Sequence, residues 1–223
     1  MSMAGKEGFV SENAIAPTRV ASVLPKHRDF CTPNDPIGLF QTWLREAVAS
    51  GLEEPTAMTV ATVDPGGHPE ARLLLLKHVD ERGFVFFTNM ESPKAQSLLR
   101  DSRAALCFYW TKLARQVRIR GRAEVVSNEE ADAYFATRPR LSQISAWASK
   151  QSHPMRGYFQ LEAEVAKAII RFGVGEVPRP PFWSGFRVVP EQIEFWAQRP
   201  FRRHQRILYS RAADGWQKQW LYP

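Results

Sequence analysis

Cysteine is scarce in this sequence. Cys31 and Cys107 are the only two, too few for a disulfide framework and not in metal-ligand spacing with any His pair. A reducing, cytoplasmic setting is the expectation that follows, and no metal site is expected. Long apolar runs are also missing. No window reaches the roughly 18 apolar residues of a membrane span, and no short apolar stretch follows basic residues at the N-terminus. Neither a membrane partner nor a cleaved leader is therefore expected. GxGxxG, a Walker-type Gly-rich loop, HExxH and CxxC are absent too, which leaves nucleotide-fold, P-loop and zinc readings without support. Nor is there any block of five or six like charges, which argues against a nucleic-acid-binding arm.

What is present is a surplus of isolated cations. Thirty basic side chains against 23 acidic ones give a formal charge of +7 over 223 residues. Such a balance suits an anionic partner and equally suits plain solubility. Its dispersal between Arg72 and Arg211 fits a pocket built from single basic residues. The hydrophobic fraction of 44% is enough for one substantial core.

Residues 1–34 mix Gly, Ser, Pro and charge without periodicity and read as an arm, with residues 35–223 as a single domain. Asp35-Pro36 resembles an N-cap followed by Pro at the first helical position, opening a helix with Ile37, Phe40, Trp43, Leu44 and Ala47 on one stripe. The period then changes. Strands are expected at 57–63, 70–79 and 84–89, and the run Leu73-Leu74-Leu75-Leu76 implies that both faces of the second are covered. A short helix capped by Ser92 follows, then strands at 104–110 and 116–126.

Ser127 opens another helix that must stop before Pro139, and Pro139 can begin a further helix running to about Lys150. A third helical candidate covers 157–172, and strands return at 185–196, 206–211 and 216–221. Strands interrupted by few helices indicate an α+β, mainly β chain built on an antiparallel barrel rather than βαβ units.

Tyr134, Arg138 and Ser142 recur every four residues. If Pro139 restarts the helix, Arg138 sits at its start and Ser142 in its first turn, where free N–H groups favour a phosphate. Spacing alone leaves open that Tyr134 merely packs and that Arg138 is a solvated cation.

The blocks RLLLLK (72–77), FFTNMESPK (86–94), RQVRIRG (115–121), YFATRPRLSQISAWASKQS (134–152) and QIEFW (192–196) resemble, in order, motifs of the pyridoxine 5'-phosphate oxidase family. The similarity runs from about Asp35 to Pro223. It implies an FMN-binding split β-barrel that forms a homodimer with two flavin sites at the subunit interface. By matching positions, Arg72, Leu73, Leu74, Leu75, Leu76, Lys77, Phe87, Thr88, Lys94, Gln116, Gln151, Ser152, Trp196 and Arg206 would surround FMN. Lys77, Tyr134, Arg138 and Ser142 would hold the substrate phosphate. Arg202 and His204 would lie near the substrate ring and reacting carbon as the catalytic pair. The implied reaction is oxidation of pyridoxine or pyridoxamine 5'-phosphate by O2, giving H2O2.

Three positions depart from the family pattern. Pro93 replaces an Arg near the flavin phosphate, Ser22 replaces a Tyr in the arm, and AQRPFRRHQ (197–205) replaces a Gly-containing turn. These differences keep two alternatives in view. One is a phenazine-biosynthesis flavin oxidase of the same fold, which takes a tricyclic carboxylate. The other is a non-catalytic binder of flavin or pyridoxal phosphate.

Overall fold

The structure is a computed structural model that describes residue 30 and residues 34–223. Most of the expected N-terminal arm, with Ser22, therefore lies outside the described residues, as does Cys31.

Helix α1 (Pro36–Ala49) starts as its sequence demands. The Asp35 carboxylate accepts from the Ile37 N–H at 2.9 Å, and Pro36 occupies the first turn, where its missing N–H costs nothing. The expected stripe is buried at Ile37, Phe40, Trp43 and Ala47. Phe40 meets Phe84 at 4.9 Å and Phe108 at 5.0 Å between ring centroids, while Trp43 meets Phe195 at 5.1 Å. Those three rings belong to three different strands, so one helix touches widely separated parts of a sheet that must curl around it.

That sheet is antiparallel, in the order β2-β1-β5-β6-β7-β4-β3, with β8 and β9 continuing from β7. The strands are β1 (Ala57–Val63), β2 (Pro69–Leu75), β3 (His78–Asp80), β4 (Gly83–Asn89), β5 (Arg103–Trp110), β6 (Arg115–Val125), β7 (Trp183–Ala197), β8 (Gln205–Ala212) and β9 (Gly215–Leu221). Between them lie α2 (Pro93–Arg100), α3 (Asn128–Thr137), α4 (Arg140–Ala148) and α5 (Gln160–Phe172).

The long strand β7 is where the sheet splits. Along one edge it pairs with β6 throughout, while the other edge pairs with β4 over 183–188 and with β8 over 192–197. Pro190 falls in the gap between those two partners, where a strand tolerates a residue without an N–H. Opposite it the β6 register shifts at Arg120/Gly121. A Cβ on Gly121 would stand 2.0 Å from the Val189 carbonyl oxygen, so only glycine permits this approach.

Three expectations are corrected here. The strand expected over 70–79 is two strands, because the chain leaves β1 after Leu75 and joins β4 at His78. Lys77 sits at that switch. Both faces of the Leu73–Leu76 run are not covered within the protomer: Leu76 is buried, but Leu73 is 74% exposed. β2 ends the sheet order, and among the described residues its outer face stays open at Leu73 and Leu75. The Ser92 side chain also does not cap α2; its hydroxyl donates to the Asn89 carbonyl oxygen at 2.6 Å.

Candidate active site

Pro139 shapes the site. The residue before a proline is pushed out of the helical region, and Arg138 is extended, with φ −73° and ψ 146°, closing α3. Pro139 then stands at the N-cap of α4, whose first turn contains Ser142. The chain thus folds α3 and α4 into a corner with Arg138 at its apex. Ser127 caps α3 by accepting from the Glu130 N–H at 3.1 Å, and Glu129 and Glu130 suit its positive end.

The corner faces β4 across a cleft of about 440 Å³ lined by Lys77, Tyr134, Arg138 and Ser142, together with Phe87, Thr88, Gln151 and Trp183. All four expected phosphate ligands therefore converge in one place. Trp183, which the sequence reading did not single out, organises them. Phe87, Tyr134 and Trp183 form a near-parallel stack, with Phe87 4.2 Å from Tyr134 and 5.2 Å from Trp183. The Arg138 guanidinium lies 4.9 Å over the Trp183 ring, an arrangement that fixes the guanidinium plane. Its signal in the sequence is only a tryptophan two residues before an expected strand, which in the structure begins at Trp183 itself. Gly185 backs the stack from below, since a Cβ there would sit 2.7 Å from the Phe87 ring.

Arg138 is held without being satisfied. Its Nη1 is buried with no hydrogen-bond partner. Burial pushes its pKa down, against the pull of Tyr134. A buried cationic donor on a residue that lines a cleft is costly unless an anion completes it.

A second cation lies beneath. Lys94 is buried and donates to Gln151 Oε1 at 2.9 Å, Ser92 Oγ at 3.2 Å and Thr88 Oγ1 at 3.3 Å. All three partners are neutral. Burial, and then the charge of Arg72, lower the Lys94 pKa. Arg72 itself is partly neutralised by Glu70 at 2.8 Å and donates to Thr62 at 2.7 Å. Among the described residues neither Lys94, Arg138 nor Lys77 forms an ion pair with a carboxylate. This donor set fits the two phosphate groups that the family resemblance implies, one on FMN and one on the substrate.

The remaining expected residues are not in this cleft. Gln116, Trp196 and Arg206 align across β6, β7 and β8. Their neighbours in sequence, Val117, Phe195 and Ile207, are buried in the core, so this row points to the outer face. His204 joins it, with its ring 4.8 Å from Trp196. Its Nδ1 accepts from the Arg199 N–H at 3.2 Å, which assigns the proton of the neutral ring to Nε2. Arg202 is exposed in the Pro200–Arg202 turn, where Phe201 and Arg202 have φ of 58° and 57°. Two consecutive non-glycine residues in the left-handed region are strained, a state that clusters at functional loops. Leu73 and Leu75 are exposed on the outer face, and Ser152, with φ 67°, borders a neighbouring cavity. Among the described residues there is no His/Cys/Asp/Glu cluster suited to a metal, and no helix is long and apolar enough to cross a membrane.

A split antiparallel β-barrel with a cleft lined by Lys77 and Arg138 against its flank defines the structural class. Residues 44–171 match the pyridoxamine 5'-phosphate oxidase family, and residues 183–223 match the pyridoxine 5'-phosphate oxidase C-terminal dimerisation region. The chain belongs to that family. It is 56% identical to the pyridoxine/pyridoxamine 5'-phosphate oxidase of Azorhizobium caulinodans over 87% of this chain and 93% of the relative. The corresponding protein of Agrobacterium fabrum is 54% identical over 87% of this chain and 96% of its own. Among solved structures, PhzG of Burkholderia lata in complex with tetrahydrophenazine-1-carboxylic acid superposes with a TM-score of 0.85 at 30% identity, covering 91% of this chain and all of that one.

Proposed function

We propose that this chain is an FMN-dependent oxidase that converts pyridoxamine 5'-phosphate and pyridoxine 5'-phosphate to pyridoxal 5'-phosphate. The alcohol and dioxygen give aldehyde and hydrogen peroxide. The amine, dioxygen and water give aldehyde, ammonia and hydrogen peroxide. The observation that carries the reading is the unpartnered Arg138 Nη1, buried in the same cleft as Lys77, Tyr134 and Ser142.

Bound FMN supplies the electron acceptor that no side chain can provide. The protein's part is to hold FMN and to position the substrate against it. Arg72 and Lys94 suit the flavin phosphate, with Thr88 and Gln151 fixing the lysine. Lys77 and Arg138 grip the substrate phosphate by charge-assisted hydrogen bonds, and Tyr134 and Ser142 add neutral donors. Anchoring the remote phosphate converts binding energy into orientation of the reacting carbon.

Gln116, Trp196, Arg202, His204 and Arg206 act across a homodimer interface, reaching the flavin held by the opposite protomer. Two observations support this: they share no cleft with Lys77 and Arg138 in one protomer, and the outer face of β2 exposes leucines. Arg202 and His204 steer the substrate ring and assist proton loss. With Nδ1 engaged by the Arg199 N–H, His204 presents Nε2–H as a donor. A chain with only two cysteines suits a reducing cytoplasm.

The phenazine alternative requires a carboxylate ligand, whose single charge and two oxygens match two cations plus two hydroxyl donors less fully than a phosphate does. Parallel measurements decide. The purified protein should carry the visible spectrum of a flavin and release hydrogen peroxide with pyridoxamine 5'-phosphate. Turnover only with a reduced phenazine precursor would shift the substrate, and tight ligand binding without oxygen uptake would leave a binder.

A further inference from the structure

Near the N-terminal end of α3, Arg187 of β7 is almost completely buried, at 5% exposure. Its Nη1 donates to Asp80 Oδ1 at 2.6 Å and its Nη2 to Glu130 Oε1 at 2.8 Å. Asp80 lies three residues after Lys77, at the end of β3. Glu130 lies in the first turn of α3, one helical turn before Tyr134 and two before Arg138. One guanidinium therefore ties together the two chain segments that supply Lys77 on one hand and Tyr134 and Arg138 on the other.

We infer that Arg187 is a positioning residue that sets the distance between these two halves of the phosphate cradle without touching the substrate. The inference rests on the substrate reading given above. Arg187 is suited to the task because its stem is fixed on both edges, in register with Val85 of β4 and Glu124 of β6. The guanidinium fork adds directional rigidity. Arg82 bridges the same two carboxylates, at 3.0 Å to Asp80 and 2.7 Å to Glu130. It differs in two respects: its side chain is 64% exposed, and it sits in the same turn as Asp80. It can tie the helix only to a turn that moves with it, whereas Arg187 ties both to the sheet.

The test compares oxygen uptake with pyridoxamine 5'-phosphate and with unphosphorylated pyridoxamine, in the flavin-loaded wild type and in Arg187→Met. Loss of positioning should raise KM for the phosphorylated amine about tenfold, with kcat within about twofold. Turnover of pyridoxamine, which does not use the cradle, should be unchanged. Arg187→Lys should recover only part of the discrimination, and Arg82→Met should retain it. If Arg187→Met does not fold, Glu130→Gln cuts only the helix end of the link and is read in the same way. A merely structural role would reduce the active fraction and lower both substrates equally. That result, or a discrimination equal to wild type, overturns the positioning role. A wild type that does not favour the phosphorylated amine overturns the substrate reading itself, and this inference with it.

Discussion

Two groups of cations gather around helix α3, and they are built on opposite principles. On the sheet side, Arg82 and Arg187 meet Asp80 and Glu130, while Arg179 meets Asp132 at 2.6 Å. On the cleft side, Lys77 and Arg138 have no carboxylate among the described residues, and neither has Lys94 beneath them. Each group has one member well removed from bulk water, Arg187 on the first side and Lys94 on the second, so the difference lies in what compensates them. A cation matched by an acid holds geometry. A cation left with neutral neighbours is held ready for an anion that arrives from outside, and its desolvation is offset only then.

The largest expected effect comes from removing the cation that is least satisfied. Arg138→Met should cost the phosphorylated substrate the charge-assisted bonds of a buried donor, about 3–4 kcal/mol of transition-state binding, or roughly 100-fold to 1000-fold in kcat/KM. Pyridoxamine without its phosphate should be oxidised as well as by the wild type. Steady-state oxygen uptake with the two amines checks this, and an equal loss for both would break the distinction between the two sides of α3.

The outer face of the sheet extends the comparison from charge to apolar surface. Leu73 is 74% exposed and Tyr109 55% exposed, in a chain whose core aromatics are fully buried. Burying a leucine is worth about 1.5–3 kcal/mol, and a two-fold interface counts the loss twice. Leu73→Glu should therefore raise the dimer dissociation constant at least about 100-fold. Sedimentation equilibrium would show it, and a variant that stays dimeric at micromolar concentration would remove β2 from the interface.

Much of this was legible before any coordinates. The α1 stripe, the restart at Pro139 and the strand pattern outside 70–79 follow from local rules that tertiary packing did not override. Convergence of Lys77 with Tyr134, Arg138 and Ser142 came from the family resemblance, because spacing could not connect residues 57 positions apart. Arg187 and Trp183 stayed hidden for the same physical reason. Each acts through contacts at long sequence separation, 107 residues in the case of Arg187 and Asp80, and nothing local marks one arginine of a basic chain as buried. The leucine run misled because alternation reports which residues are apolar, not which molecule covers them.

Lys94 gives a smaller effect with two opposite signs. Its pKa is lowered in the folded protein, so the unfolded chain binds more protons between the folded and ordinary values. Folding is therefore penalised below that window, and the penalty is relieved as the pH rises through it. At neutral pH, Lys94→Met should stabilise the flavin-free protein by about 1 kcal/mol, since the desolvated charge is gone. It should also weaken FMN binding by roughly 10-fold to 100-fold, since a phosphate contact is gone. Thermal unfolding of the apoprotein and fluorescence titration with FMN read the two separately. A loss in both would show that Lys94 holds structure and is not waiting for an anion.

The smallest effect belongs to the paired side and has the opposite pH sign. Burial works to raise the Asp80 pKa, but hydrogen bonds from Arg82 and the charge of Arg187 outweigh it, and the value falls below the ordinary 3.8. Glu130 is held below its ordinary 4.5, chiefly by its hydrogen bond from Arg82. For carboxylates with depressed folded values, the stabilisation is complete above the ordinary values and is lost as the pH falls through the lower ones. Solvent screening keeps it near about 1 kcal/mol or less, because both carboxylates are partly exposed. The stability gap between wild type and Arg187→Met, measured by urea unfolding, should thus hold steady from neutrality to about pH 5 and close below about pH 4. A gap that persists unchanged in acid would mean that Arg187 contributes through its packed stem and not through its two acids, and the contrast between the two sides of α3 would lose its electrostatic basis.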